Sequence, residues 1–331
     1  MVSAGGLTLE SVSITHAPNK TEYATGDTFD KTGMVVTANF NNDVSFVTTD
    51  YTVSPETLTA AVTAVTISVT VDGVTRTTTQ AVTVLDKAKL TYTGNMTSKQ
   101  ITSGGTVYTL YTFISSGTLT VAGSAKNVGI WLCGGGCSSN RTWGGAGGYT
   151  AQNLNYTLNG GTYNVVIGAA NGNTTIKKGD TVILTANGAT SDSNNGGSGG
   201  GARGNAYNNT YKGGIGQGTT TRPFDDSVNF PSLPCAGGGG GASLGDNYAN
   251  GGDGGSNGGN GGDGGVESSS VTLKRANGGE TGGGKGKIKG GNDTAANATY
   301  YGSGGGGRFT GSSSTETSVG YQGVMFIRVP V

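Results

Sequence analysis

The distribution of glycine constrains the fold of this chain more than any other feature of its sequence. Eleven of its 66 glycines lie before Cys133, and the others gather in tracts that follow it. The most regular tract, residues 250–265, reads NGGDGGSNGGNGGDGG. Because glycine contributes no side chain to a hydrophobic core, the glycine-rich part must pack differently from the part before it.

Charge and hydropathy exclude two classes of partner. The formal net charge is zero and only 12% of the residues are charged, whereas a protein that binds the phosphate backbone needs a basic surface. No apolar run approaches the roughly 18 residues of a membrane span. Residues 1–14 have neither a basic nor an apolar leader region, so we expect no standard signal peptide. We therefore predict no nucleic acid partner and no membrane insertion.

Residues 1–87 show the two-residue alternation that predicts β-strands. Apolar residues recur at every second position in GMVVTANF (33–40) and VTISVTV (65–71). Asp72 and Gly73 then form a favoured pair for a two-residue hairpin, in which both central residues need positive φ. Several short strands without a helix pattern predict a small antiparallel β-sandwich.

Residues 88–331 are not glycine throughout. Strand-like segments occur at 106–114, 117–121, 127–133, 161–168, 180–188 and 323–331. In one of them, Val182, Leu184 and Ala186 are expected to share a face. Because a strand-like segment follows the last glycine tract, the tracts are predicted to be insertions in a β framework. The predicted fold class is all-β, with one domain at 1–87 and a second at 88–331.

Two structures are open to the glycine tracts, namely disordered loops and packed polyglycine II helices. Glycine can adopt an extended threefold helix of about 3.1 Å per residue, and it keeps its N–H for bonds to neighbouring helices. Ordering costs about 1–2 kcal/mol per residue, and each hydrogen bond returns only about 1 kcal/mol. Such a bundle therefore needs many mutual bonds and a β platform. The recurrence of tracts of similar length favours the packed bundle.

No motif predicts catalysis, a metal site or a cofactor. GETGGGKG (279–286) departs from the phosphate loop because Gly286 stands where Ser or Thr would bind magnesium. Asp253 and Asp263 lie in a partial match to the calcium β-roll repeat, but no tandem array surrounds them. The single His16 lies in the front domain, too far from the cysteines to predict a zinc site or a catalytic triad. We expect neither an enzyme nor a metalloprotein.

The three cysteines leave two arrangements open. Cys133 and Cys137 could be bridged across CGGGC, or all three thiols, with Cys235, could be buried and unbridged. The second arrangement, in which the thiols are small buried side chains, is favoured.

Aromatic residues stand in or beside the glycine tracts, outside the strand framework. Aromatic side chains presented on loops are typical of recognition surfaces. A second role is equally open to each of them, which is to cap the glycine bundle and form its small core. The candidates for contact with a receptor are Trp143, Tyr207, Tyr211, Phe224, Tyr248, Tyr300, Tyr301 and Phe309.

The front part resembles bacterial immunoglobulin-like domains. The resemblance rests on LTLESVSIT (7–15), NKTEYATGDTFDKTGMVVTANF (19–40), YTVSP (51–55) and AVTVL (81–85). Domains of that family occur in bacterial surface proteins and as modules of phage virion proteins. The resemblance therefore implies an immunoglobulin-like β-sandwich that serves as a spacer or as a weak carbohydrate binder, and the spacer is favoured.

The back part resembles the glycine-rich domain of tailed-phage fibre and tail-tip proteins. The resemblance rests on YTFISSGTLTV (111–121), VGIWLCGGG (128–136), GTYNVVIGAANGN (161–173) and GVMFIRV (323–329). In related phage adhesins, polyglycine helices pack together and the loops between them bind the host receptor. The resemblance thus implies a virion adhesin whose partners are a bacterial cell-surface glycan or protein and other virion proteins.

A structural virion protein is the alternative that the same resemblance leaves open. A head fibre, a capsid decoration protein or a tail component would contact other virion proteins rather than the host. A stable homotrimer would support the fibre form of this alternative.

Overall fold

This computed structural model describes residues 6–85, 87–139, 144–190, 195–200, 214–238, 297–306 and 317–331. The chain divides into two compact units. The front unit comprises Met1–Lys89 and Ala122–Ala125, and the back unit comprises Leu90–Val121 and Lys126–Val331. Apart from a 3-10 turn at Pro223–Asp225, every regular element in the described ranges is a β-strand. The predicted all-β class is confirmed.

The front unit contains three small sheets. Two are antiparallel and have the strand orders β1-β3-β4 and β5-β6-β7, and the third is the parallel pair β2-β8. The strands are β1 (Leu9–His16), β2 (Glu22–Ala24), β3 (Val35–Phe40), β4 (Ser45–Thr48), β5 (Thr52–Ser54), β6 (Ala64–Val71), β7 (Val74–Ala81) and β8 (Thr83–Leu85).

Side chains fill the core of the front unit in the predicted pattern. Val65, Ile67 and Val69 of β6 are buried in one cluster with residues of the other sheets. The β6–β7 hairpin turns at Asp72 (φ 47°) and Gly73 (φ 80°). The predicted strand face and the predicted two-residue hairpin are both confirmed.

The back unit is built on two five-stranded sheets. Their strand orders are β10-β11-β18-β13-β14 and β17-β16-β15-β12-β9. The strands are β9 (Lys89–Tyr92), β10 (Met96–Ser103), β11 (Thr106–Phe113), β12 (Gly117–Ala122), β13 (Ala125–Cys133), β14 (Thr150–Leu158), β15 (Gly161–Val166), β16 (Thr174–Lys178), β17 (Thr181–Ala186) and β18 (Val324–Pro330).

All six strand-like segments predicted for this part are strands, namely β11, β12, β13, β15, β17 and β18. One predicted face is wrong. The pairing of β16 with β17 shifts register between Ile176 and Lys177. Because this irregularity interrupts the two-residue alternation, Val182 is 51% exposed whereas Ala186 is buried.

Glycine-rich segments, which we call the glycine bundle, pack beside one another in the back unit. Three of their bonds link three different segments: Gly145 N–H donates to the Gly305 carbonyl (2.8 Å), Gly305 N–H to Cys137 (3.0 Å) and Cys137 N–H to Ala146 (2.8 Å). The backbone thus bonds between segments, as predicted for packed tracts. The segments are 134–139, 144–149, 196–200, 235–238, 301–306 and 317–323. The 250–265 and 278–286 tracts lie outside the described residues.

The closeness of the segments explains why glycine is needed there. A Cβ atom at Gly147 would overlap the backbone carbonyl of Cys235, and one at Gly304 would overlap that of Gly145. Neither obstacle is a side chain that could rotate away. The backbone itself is therefore the packing surface of the bundle.

Candidate binding surface

Three tyrosines lie together at the glycine bundle. The ring centroids of Tyr300 and Tyr301 are 5.3 Å apart, and those of Tyr301 and Tyr321 are 5.7 Å apart in an edge-to-face arrangement. Tyr321 is 38% exposed, and the other two side chains are half-buried. Offset and edge-to-face pairs are the favoured geometries of aromatic rings. We call these three residues the tyrosine cluster.

The glycine bundle holds the backbone of the tyrosine cluster in place. Tyr321 N–H donates to the Ser303 carbonyl (2.8 Å), and the Tyr321 carbonyl accepts from Gly136 N–H (2.9 Å). The Tyr301 carbonyl accepts from Cys235 N–H (3.0 Å). Because these bonds join the segments of Tyr301 and Tyr321 to each other and to segments 134–139 and 235–238, the rings are carried by a fixed backbone rather than by a free loop.

Beside the tyrosine cluster, a second set of hydrogen bonds joins Val319 to Asn297 and Ala298. Val319 N–H donates to Oδ1 of Asn297 (2.8 Å), and Ala298 N–H donates to the Val319 carbonyl (2.9 Å). Val319 is itself 47% exposed. An aliphatic side chain therefore stands exposed two residues from the exposed ring of Tyr321.

The described segments that carry the tyrosine cluster have no formally charged side chain. Segments 297–306 and 317–323 contain no Asp, Glu, Lys, Arg or His. Burial, together with the neighbouring Tyr301, Cys133 and Cys235, raises the pKa of Tyr300. Burial and the neighbouring Tyr321 raise the pKa of Tyr301. Both hydroxyls are thus neutral at physiological pH and can donate hydrogen bonds to an uncharged ligand.

Phe224 has the second of the two roles considered for the aromatic candidates. It is 5% exposed and packs edge-on against Phe230 at 5.8 Å. The guanidinium of Arg328 lies between its ring (4.6 Å) and that of Tyr108 (4.8 Å). Phe224 therefore belongs to the core of the back unit, and in this position it does not face a ligand.

The structure describes two of the remaining candidates and not the others. It brings Tyr300 and Tyr301 together, as their adjacency suggests, and it adds Tyr321, which the sequence analysis missed. The only signal for Tyr321 was an aromatic residue beside Gly320 and Gly323. Trp143, Tyr207, Tyr211, Tyr248 and Phe309 lie outside the described residues.

Two other features are absent from the described ranges. No group of three or more His, Cys, Asp or Glu residues is arranged there to hold a metal ion. Nor do those ranges contain a helix with the length and apolar character needed to cross a membrane.

Two family models match parts of the chain. One, described as a glycine-rich domain, matches residues 112–330. The other, described as a bacterial Ig-like domain (group 3), matches residues 16–84. The first match spans well over half of the chain and includes all six segments of the glycine bundle. No curated protein matches the chain.

Proposed function

Since the chain belongs to the glycine-rich domain family and carries a bacterial Ig-like domain in front of it, we propose that it is an adhesin of a phage or prophage virion. These two domains fit a surface or adhesin-like protein. In this proposal the protein sits at a tail fibre or tail tip and binds the bacterial cell surface. Its action is binding without chemistry, and the virion is where it works.

The observation that carries the proposal is the tyrosine cluster on its fixed backbone. Aromatic side chains provide a large contact area at low cost in side-chain entropy, and this makes them frequent anchors of binding sites. The exposed ring of Tyr321 and the exposed side chain of Val319 offer apolar contact. The neutral hydroxyls add directional hydrogen bonds. Such a surface suits an uncharged face of a glycan or of a protein receptor.

In this proposal the front unit acts as a spacer and does not bind the receptor. Its aromatic residues Tyr23 and Phe29 are buried, and their ring centroids are 5.8 Å apart. Phe46, by contrast, is 55% exposed. Phe46 is thus an exposed aromatic residue outside the proposed surface, and it serves as a matched control for Tyr321.

Binding of the fluorescently labelled full chain to a panel of bacterial strains tests the proposal. The panel should include the host of the phage that encodes the chain. We expect saturable binding to that host, and we expect Tyr321→Ala to weaken it by about tenfold, the loss of roughly 1.4 kcal/mol. Phe46→Ala should bind like the wild type. Melting curves of both variants would show that each remains folded.

Two outcomes would count against the adhesin. If the full chain bound no strain, including the host, but bound purified capsids or tails, the structural virion role would replace it. Light scattering that showed a homotrimer in the same preparation would point to a fibre. Equal losses from Tyr321→Ala and Phe46→Ala would move the binding site away from the tyrosine cluster.

A further inference from the structure

Two buried cysteines from distant parts of the chain meet in the back unit. Cys133 ends β13, and Cys235 lies in the 235–238 segment of the glycine bundle. Both are fully buried and reduced. Both sulfurs lie beside Gly302 (φ 67°), where a Cβ atom would come within 2.1 Å of the Cys133 sulfur and 2.7 Å of the Cys235 sulfur. The two sulfurs therefore meet at one side of Gly302 and are no further apart than the sum of these two distances.

Cys133 also affects the ionisation of Cys235. The pKa of Cys235 is raised well above its usual value, first by burial, then by a hydrogen bond with the Cys133 thiol and by the charge of that group. The Cys133 thiol donates a further hydrogen bond to the Gly134 carbonyl at 3.2 Å.

Backbone bonds hold the pair in position. Cys133 is opposite Val324 in the β13–β18 pairing. Cys235 N–H donates to the Tyr301 carbonyl (3.0 Å), and Gly302 N–H donates to the Gln322 carbonyl (2.8 Å). The meeting of the two sulfurs is thus set by strand register and by the glycine bundle, not by the rotamers of two surface side chains.

Cys137 is directed elsewhere. Its thiol donates to the carbonyl of Ser138 (3.1 Å) and lies 3.4 Å from that of Thr190. It packs in a small cluster with Ala146 and Ala189. This arrangement does not favour the bridge between Cys133 and Cys137 that the sequence left open.

We propose that Cys133 and Cys235 are the site of a disulfide that forms when the chain folds under oxidising conditions. The bridge would join the end of β13 to the 235–238 segment. It would close a loop of roughly 100 residues, a length for which the restriction of the unfolded chain is large. The inference does not depend on the proposed function, since it concerns the fold alone.

The step balances with a glutathione disulfide as the oxidant. One cysteine thiolate attacks a sulfur of glutathione disulfide, and this releases one glutathione thiolate and leaves a mixed disulfide on the chain. The second cysteine thiolate then attacks the protein sulfur of that mixed disulfide and releases the second glutathione. The two cysteine protons end on the two glutathione thiolates. The protein pair is oxidised and one glutathione disulfide is reduced.

Burial determines when the bridge can form. Thiols that are buried in apolar surroundings react slowly because the reactive thiolate is disfavoured and the oxidant cannot reach it. We therefore expect the bond to form during folding, before the glycine bundle closes over the pair. Once closed, the same burial protects the bond from reduction.

Refolding of the full chain from denaturant, once in a glutathione redox buffer and once in excess reductant, tests the proposal. In the redox buffer we expect one titratable thiol per chain in denaturant, a peptide pair linked through Cys133 and Cys235 by mass spectrometry, and a melting temperature of the back unit raised by roughly 10 °C. Three titratable thiols after oxidative refolding, or a linked pair containing Cys137, would overturn it.

Single substitutions give the controls. Cys137→Ser should keep the linked pair and the rise in melting temperature, with no titratable thiol left. Cys235→Ala should show two titratable thiols and the same melting temperature in both buffers, and because alanine buries no hydroxyl it also serves where Cys235→Ser does not fold. A buffer-dependent rise in the melting temperature of Cys235→Ala would contradict the proposal.

Discussion

The two units use the backbone in opposite ways. In the front unit, strands bond within small sheets and side chains such as Val65 and Ile67 fill the space between the sheets. In the glycine bundle, segments bond directly to segments, and carbonyl groups occupy the places where Cβ atoms would stand, as at Gly147. One unit separates its backbones with side chains, and the other removes the side chains so that its backbones can touch.

This difference shows which term stabilises each unit. Burial of apolar surface, at about 25 cal/mol per Å², dominates a sandwich like the front unit. In the bundle, the net gain of each hydrogen bond is only about 1 kcal/mol, and many bonds must form together. The bundle is therefore tied to its two five-stranded sheets, whose cores supply the apolar burial that glycine lacks. A substitution should damage each unit by a different mechanism.

The largest effect is expected from Ile67→Ala in the front unit. The Ile67 side chain has no solvent exposure, and removal of a buried isoleucine side chain to alanine leaves a cavity. We expect the free energy of unfolding of the front unit to fall by about 4 kcal/mol. Calorimetry of the full chain should show one transition moved to lower temperature and the other unchanged. Equal movement of both transitions would show that the units do not unfold separately.

Gly147→Ala should destabilise the back unit and leave the front unit unchanged. The new methyl group would meet the Cys235 carbonyl, which cannot rotate away, so we expect the back unit alone to lose about 3 kcal/mol. The matched control is Gly104→Ala in the β10–β11 turn. There a Cβ meets no atom within 4 Å, and the cost is only that of a left-handed φ of 57°, about 1 kcal/mol. Equal losses from the two substitutions would refute close packing as the reason for glycine.

A smaller contrast should appear in the response to alkali. Burial raises the pKa of Tyr92 in the back unit to about 12, and its hydroxyl donates to the Ser115 carbonyl at 2.6 Å. The folded unit thus binds this proton more tightly than the unfolded chain, whose tyrosine pKa is about 10. The resulting stability is complete below pH 10 and is lost between about pH 10 and 12.

We expect that loss to be about 1 kcal/mol, because the side chain is partly exposed. Urea unfolding of the back unit between pH 9 and 12 measures it. Tyr92→Phe keeps the edge-to-face contact with Phe113, at 4.9 Å, and should flatten the pH profile. If the wild type and Tyr92→Phe lose stability in parallel, other groups are responsible.

The smallest effect should be an acid response of the front unit. Burial alone would raise the pKa of Asp27, but the Ala24 N–H and the Lys20 ammonium, 3.2 Å away, outweigh it and lower the pKa below 3.8. A lowered carboxyl pKa adds stability above about pH 4, and this stability is lost as the pH falls through the folded-state value. For so exposed a pair we expect a few tenths of a kcal/mol. Lys20→Ala should remove most of this pH dependence.

Much of the strand framework could be predicted from the sequence, and two of the strands that were missed have the same position in their sheet. β10 exposes four consecutive side chains, and four of the nine residues of β14 are exposed. Both are edge strands of their sheet. No alternation of apolar residues marks β10, whereas in β14 Leu154, Tyr156 and Leu158 alternate but only Leu158 is fully buried. Buried strands such as β13 and β18 were predicted because burial leaves them rich in apolar residues.

The candidate site was only partly predictable, since its parts meet through non-local packing. Tyr300 and Tyr301 are neighbours in the sequence, but Tyr321 joins them only because the glycine segments lie side by side. Phe224 was placed on a loop correctly, yet that loop folds onto the core, with Phe224 at a positive φ of 56° and Arg222 bonded to the Pro231 carbonyl. No local pattern encodes either arrangement.

The contact of bare backbones in the glycine bundle has a thermal consequence. Unfolding it exposes peptide groups more than hydrocarbon, and exposed polar surface lowers the heat capacity of unfolding whereas exposed apolar surface raises it. Per residue, the bundle should therefore have a smaller heat-capacity change than the sandwich. Its stability would then vary less with temperature, and cooling would weaken it less than a protein held together mainly by hydrocarbon.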